Sequence, residues 1–180
     1  MNIINRLKKL WYMLTCNSYA IQKIRNEEFV KAGGKLGANF RGNGSFPSSE
    51  PYLVEIGDNV TIASGTHWVT HDNSVIKLGI DATDYFGKIK IGNNCFIGTN
   101  VTLLLGVTLG DNTIVGASSV VTKSFPDGNV VIAGNPARVI CTVDQFRGKK
   151  RNICVNIDKL GRANKKQILL SMPEDMFEHR

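Results

Sequence analysis

The sequence predicts an all-β chain wound into a parallel β-helix, with an N-terminal helical segment over residues 1–34 and a C-terminal capping tail over residues 141–180. Three observations predict it. Large aliphatic residues recur at every sixth position through the middle of the chain, glycine follows most of them directly, and a second set of small or aliphatic residues returns at the fifth position. A period of six belongs neither to an α-helix, at 3.6, nor to a simple strand, at 2. It is the signature of repeated short strands joined by regular turns.

The N-terminal segment comes first. Ile3, Leu7, Leu10, Trp11 and Leu14 recur at helical spacing with Arg6, Lys8 and Lys9 between them, so an amphipathic helix is expected from Ile3 to about Lys31. It is read as a cap or subunit contact, with peripheral membrane association by the basic face as the alternative. Gly33 and Gly34 should break the helix. The apolar run after Arg6 is shorter than a signal-peptide core, and no stretch approaches the roughly 20 apolar residues of a membrane span, so a cytoplasmic protein is expected.

The repeats occupy 35–140. Ile91, Ile97, Leu103, Leu109, Val115 and Val121 stand six apart, Gly92, Gly98, Gly110 and Gly116 follow their aliphatic neighbours, and Cys95, Val101, Val107, Thr113 and Ser119 hold the fifth position. An earlier array repeats the pattern in Ile56, Gly57 and Val60, then Ile62, Ala63 and Thr66, and loosely in Trp68; a loop over 74–88 interrupts the register. Each hexad reads as one side of a triangular prism that points its first residue inward. The glycines should meet the backbone demand of the corners, with Asp58-Asn59, Asn93-Asn94 and Asp111-Asn112 adding turn chemistry. Small fifth residues let coils stack at roughly 4.8 Å. No coil buries its aliphatic residue alone, so both ends need caps.

Composition narrows the partners. The 180 residues, 42% of them hydrophobic, suffice for one core. Net charge is +7, concentrated in 138–166, where nine Lys or Arg face only Asp144 and Asp158. An anionic partner follows. Nucleic acid fits poorly, because the basic run lacks interleaved aromatics and no nucleic-acid-binding motif is present; a phosphorylated cofactor or a lipid-linked sugar phosphate fits at least as well. Cys16, Cys95, Cys141 and Cys154 are scattered without zinc spacing. The pair His67 and His71 spells HWVTH without the glutamate of HExxH, and no catalytic metal is expected. Ser118 and Ser119 lack a nucleophile elbow, and Cys95 fills an inward slot that predicts an inert thiol.

These hexads, and above all the run from Ile91 into Gly134-Asn135-Pro136-Ala137-Arg138, resemble the hexapeptide-repeat acyltransferase family and its sugar and polysaccharide O-acetyltransferase branch. The resemblance covers roughly residues 36–140. It implies a left-handed coil, a homotrimer, acetyl-CoA as donor, and a sugar of a surface or capsular polysaccharide, or its precursor, as acceptor. A free sugar, serine, an antibiotic or an amino sugar nucleotide are alternative acceptors, and a non-catalytic β-helix scaffold is the alternative outside enzymes.

Transfer to a hydroxyl needs a base for its proton and donors for the developing oxyanion. Imidazole suits the first task because it ordinarily titrates near pH 6.5. Of His67, His71 and His179, His71 stands where the family carries its catalytic histidine. Asp72 is a candidate to orient it, though a neighbouring Asp is more often a turn residue. The resemblance assigns Phe96, Thr99, Ala117 and Thr122 to the thioester and pantetheine path and Lys123 and Arg138 to the CoA phosphates. Cys141 stands where some relatives add a second basic residue, and the basic tail from Arg147 is the candidate substitute. Asn43 and Glu50 fall at acceptor-hydroxyl positions by the same resemblance.

Overall fold

The computed structural model describes residue 7 and residues 18–42, 46–157 and 162–179. It divides into two compact units, 1–143 and 144–180. The face proposed around Ile3, Leu10, Trp11 and Leu14 lies outside the described residues, as does Asn43.

Within the first unit the chain visits three parallel sheets in rotation. The first side stacks β1 (Lys35–Leu36), β3 (Val54–Ile56), β8 (Ile89–Ile91) and β11 (Thr108–Leu109). The second stacks β2 (Arg41–Gly42), β4 (Thr61–Ile62), β9 (Phe96–Ile97), β12 (Ile114–Val115) and β14 (Val130–Gly134), and β15 (Ala137–Thr142) closes it antiparallel to β14. The third stacks β5 (His67–Trp68), β10 (Thr102–Leu103) and β13 (Val120–Val121). This is a three-sided parallel β-helix.

Its regular pitch is 18 residues, as in the pairs Lys90↔Thr108, Phe96↔Ile114 and Thr102↔Val120. Two departures stretch that pitch. The steps from β1 to β3 and from β2 to β4 are 20 residues (Lys35↔Glu55, Arg41↔Thr61), and the step from β3 to β8 is 35 (Glu55↔Lys90). The longer one is an excursion between β5 and β8 that carries a hairpin, β6 (His71–Asp72) antiparallel to β7 (Tyr85–Phe86).

The interior column is built as the period requires. Ile91, Ile97, Leu103, Leu109, Val115 and Val121 are buried, and so are Val60, Cys95, Val101 and Val107. The polar residues at the fifth position are buried too, each with its hydroxyl bonded to the carbonyl three residues earlier: Thr66 to Ala63 (3.1 Å), Thr113 to Gly110 (2.7 Å) and Ser119 to Gly116 (2.7 Å). That local bond removes most of the cost of burying a hydroxyl.

The corners differ from expectation in one respect. At the corner between the first and second sides the left-handed backbone falls on asparagine, at Asn39, Asn59, Asn94, Asn112 and Asn129 (φ 53–57°), and not on the glycines after the aliphatic residues, whereas Gly65, Asn100, Ser118 and Gly106 take it at the other corners. Asparagine tolerates this region better than other side-chain-bearing residues. Its amides also bond from coil to coil: Asn39 Nδ2 to Asn59 Oδ1 at 3.0 Å, Asn94 to Asn112 at 2.6 Å and Asn112 to Asn129 at 2.9 Å. The glycines after the inward aliphatic residues answer a different demand, close approach. A Cβ on Gly98 would lie 2.6 Å from the backbone nitrogen of Ala117, and one on Gly92 would lie 2.8 Å from that of Asp111.

Helix α1 (Ser18–Lys31) covers one end of the coil. It stops where expected: Gly33 takes φ 94° and its N–H bonds the Val30 carbonyl, while Gly34 N–H bonds that of Phe29. Buried Phe29 stacks on Phe46 with centroids 4.1 Å apart, and Phe40 packs against Phe46 at 5.4 Å. The second unit contains most of α2 (Val143–Lys150) and all of α3 (Arg162–Ser171); Lys150 pairs with Glu178, and Arg147 with Asp144. No helix among the described residues is long and apolar enough to cross a membrane.

Gly98→Ala should lower stability by about 1–3 kcal/mol, because the obstructing atom is backbone. Asn112→Ala should cost about 1–2 kcal/mol through the left-handed corner, and Asn112→Gly less. Urea denaturation of the three variants measures both effects.

Candidate active site

After β5 the chain turns at the corner between the third and first sides. Val69 N–H bonds the Leu103 carbonyl at 2.9 Å, and Leu104 N–H bonds that of Val121 at 3.1 Å. Residues 69–70, 104–105 and 122–123 therefore stack in one corner column, and His71 follows at its edge. The imidazole is 39% exposed.

Its Nδ1 lies 2.9 Å from Glu50 Oε2, and the hydroxyl of buried Thr70 donates to the same oxygen at 2.5 Å. Glu50 and Thr70 stand 20 residues apart, the pitch of the first coil, so stacking brings the carboxylate beneath the corner. The loop carrying Glu50 is held by Phe46 on one side and by buried Pro51 on the other. The Thr70 bond is the largest influence on Glu50, and with the His71 contact it outweighs desolvation and holds the carboxyl below its ordinary value. An ionised carboxylate only accepts hydrogen bonds. Nδ1 must then carry the ring proton, which leaves Nε2 as the basic nitrogen.

Glu50, expected at an acceptor-hydroxyl position, has its Oε2 engaged with Thr70 and His71. Asp72 faces away from this pair: its oxygens accept from Ser74 N–H at 2.8 Å and Tyr85 hydroxyl at 3.0 Å, a turn role, and these bonds hold its carboxyl low. His67 is exposed on β5, and His179 Nε2 lies 2.9 Å from the Glu174 carbonyl in the second unit. Cys95 is buried with its thiol pushed up chiefly by desolvation. Among the described residues no group of three or more His, Cys, Asp or Glu could hold a metal ion.

The residues expected along the donor path do not gather in one cleft of a single chain. Thr122 and Lys123 share the corner column that leads to His71. Thr99 and Ala117 stand at the next corner, between the second and third sides, where Ser118 N–H bonds the Thr99 carbonyl at 2.8 Å. Phe96 projects from the second side, 44% exposed, and Arg138 lies on β15 of that side with its guanidinium donating to the Ala137 carbonyl at 2.9 Å. Sequence reasoning missed Thr70 and Phe86. Thr70 was detectable in principle, one 20-residue pitch after Glu50; Phe86 was not, because its pairing with His71 depends on the hairpin register.

A three-sided coil of hexads defines a class of repeat protein, and comparison with known proteins identifies this one as an acyltransferase. The model described as the hexapeptide repeat of succinyl-transferase matches residues 88–123. Protein CapG of Staphylococcus aureus is 41% identical over 170 residues, covering 92% of this chain and 95% of that protein. Galactoside O-acetyltransferase of Escherichia coli K12 is 45% identical over 106 residues, covering 58% of this chain and 52% of that one. Among solved structures, a maltose O-acetyltransferase from Clostridium difficile 630 matches with TM-score 0.52 at 28% identity, over 67% of this chain and 75% of that one. The chain belongs to the hexapeptide-repeat acyltransferase family.

Because Glu50 titrates lower when folded than the ordinary 4.5, its contribution to stability is complete above about pH 4.5 and is lost as pH falls through the folded value. Wild type should exceed Glu50→Gln in stability at about pH 7, and the gap should narrow below about pH 4.5. Urea titrations across that range test it.

Proposed function

We propose that this chain is an O-acetyltransferase that moves an acetyl group from acetyl-CoA to a hydroxyl of a sugar in a surface or capsular polysaccharide or its precursor, with His71 as general base. The observation that carries the reading is the Thr70–Glu50–His71 arrangement, which presents a basic Nε2 at an open corner in a member of this family. The acceptor hydroxyl gives its proton to Nε2 as its oxygen attacks the thioester carbonyl. The C–S bond then breaks, and the imidazolium returns the proton to the leaving thiolate. Glu50 steadies the cation that forms between these steps, and Thr70 fixes Glu50.

The donor is read as lying between neighbouring prisms of a left-handed homotrimer. The spread of Phe96, Thr99, Ala117, Thr122, Lys123 and Arg138 over one side and two corners supports this, since one prism supplies only part of a groove. The basic stretch 138–166 supports an anionic donor or a phosphorylated acceptor precursor, and the expected location is the cytoplasm.

His71→Ala should lower acetyl transfer about 10²–10⁴-fold with folding and particle size unchanged. The assay is CoA thiol release from acetyl-CoA in the presence of sugars and surface glycan. Release that is independent of His71 would contradict the reading.

A further inference from the structure

The hairpin that carries His71 also carries an aromatic residue with no assigned role. Gly87 N–H bonds the Thr70 carbonyl at 3.0 Å, so the next pair, His71↔Phe86, is of the kind in which directly opposed side chains stand closest. The two rings share one face of the hairpin, with centroids 5.9 Å apart and planes at 43°. Asp72 and Tyr85 form the next pair on the opposite face, where their 3.0 Å hydrogen bond ties the two strands together. Phe86 is nevertheless 57% exposed. That apolar surface meets water beside an imidazole whose Nδ1 side is already occupied by Glu50 and whose Nε2 is free to act.

We propose that Phe86 is the specificity-determining platform for the acceptor, taking the apolar C–H face of a pyranose ring so that one of its hydroxyls reaches His71 Nε2. This rests on the O-acetyltransferase reading and deepens it by naming a ring-shaped acceptor. A pyranose presents axial C–H groups on one face and hydroxyls at its rim. Packing the first against an aromatic ring, whose face is electron-rich, leaves the rim directed at the neighbouring base. An acyclic alcohol has no such face and gains little from the ring. The hairpin's cross-strand bond keeps platform and base in fixed relation, so the selection is geometric as well as apolar.

The test compares Phe86→Ala, Phe86→Leu and Phe86→Tyr with wild type, using a pyranose acceptor and glycerol as an acyclic one. Phe86→Ala and Phe86→Leu should raise KM for the pyranose about tenfold while changing kcat, KM for acetyl-CoA and KM for glycerol little; Phe86→Tyr should behave as wild type. An equal rise for glycerol, a rise confined to acetyl-CoA, or no change in any constant overturns the proposal while the general reading stands. A wild-type protein that acetylates glycerol but no pyranose also overturns it. Failure of the general reading is separate, seen as wild-type transfer insensitive to His71→Ala.

Discussion

Coil-to-coil stacking is the constraint on which the molecule depends. Each short strand bonds only to the strands before and after it in the stack, and the aliphatic column closes only if those neighbours sit at the ordinary strand spacing. Gly92 and Gly98 permit that approach, and the asparagine corners bond along it. Individual side-chain bonds of this sort are modest in isolation, about 0.5–1.5 kcal/mol each. Repeated along a corner, they fix register as well as adding stability.

The site inherits its geometry from the same stacking. Glu50 reaches His71 because the first coil runs 20 residues to the next, which sets it beneath Thr70. Helix α1 enters this chain of support through Phe29, which stacks on Phe46 in the loop leading to Glu50. The helix thus supports the loop from which Glu50 reaches His71. On the other side, the departure from regular pitch creates the hairpin, and the hairpin sets Phe86 opposite His71. The two places where the pitch is stretched are the two that bring Glu50 and Phe86 to His71.

Much of the fold was legible in the sequence, because a period of six imposes one physical solution at many positions at once. The inward residues from Ile91 to Val121, the small fifth positions and the helix stop at Gly33 all read directly. The role of the glycines did not, since sequence shows that a side chain is absent but not whether backbone angle or a neighbouring coil requires it. His71 stood out as a candidate through its motif. The contact of Glu50 with His71 was not legible, because a carboxylate in a loop outside the hexads has no register of its own until the pitch is known. Phe86 was hidden for a similar reason, lying in the segment where the repeat is interrupted.

The most direct measurement is the tautomer of His71, read from nitrogen–proton correlation spectra of histidine-labelled protein at about pH 9, above the ordinary histidine range. The account predicts the proton on Nδ1, coupled to the Glu50 carboxylate, with Nε2 unprotonated, and predicts that Glu50→Gln weakens this preference. A proton on Nε2 in the wild-type protein would contradict it, since the nitrogen facing the acceptor could not then serve as the base.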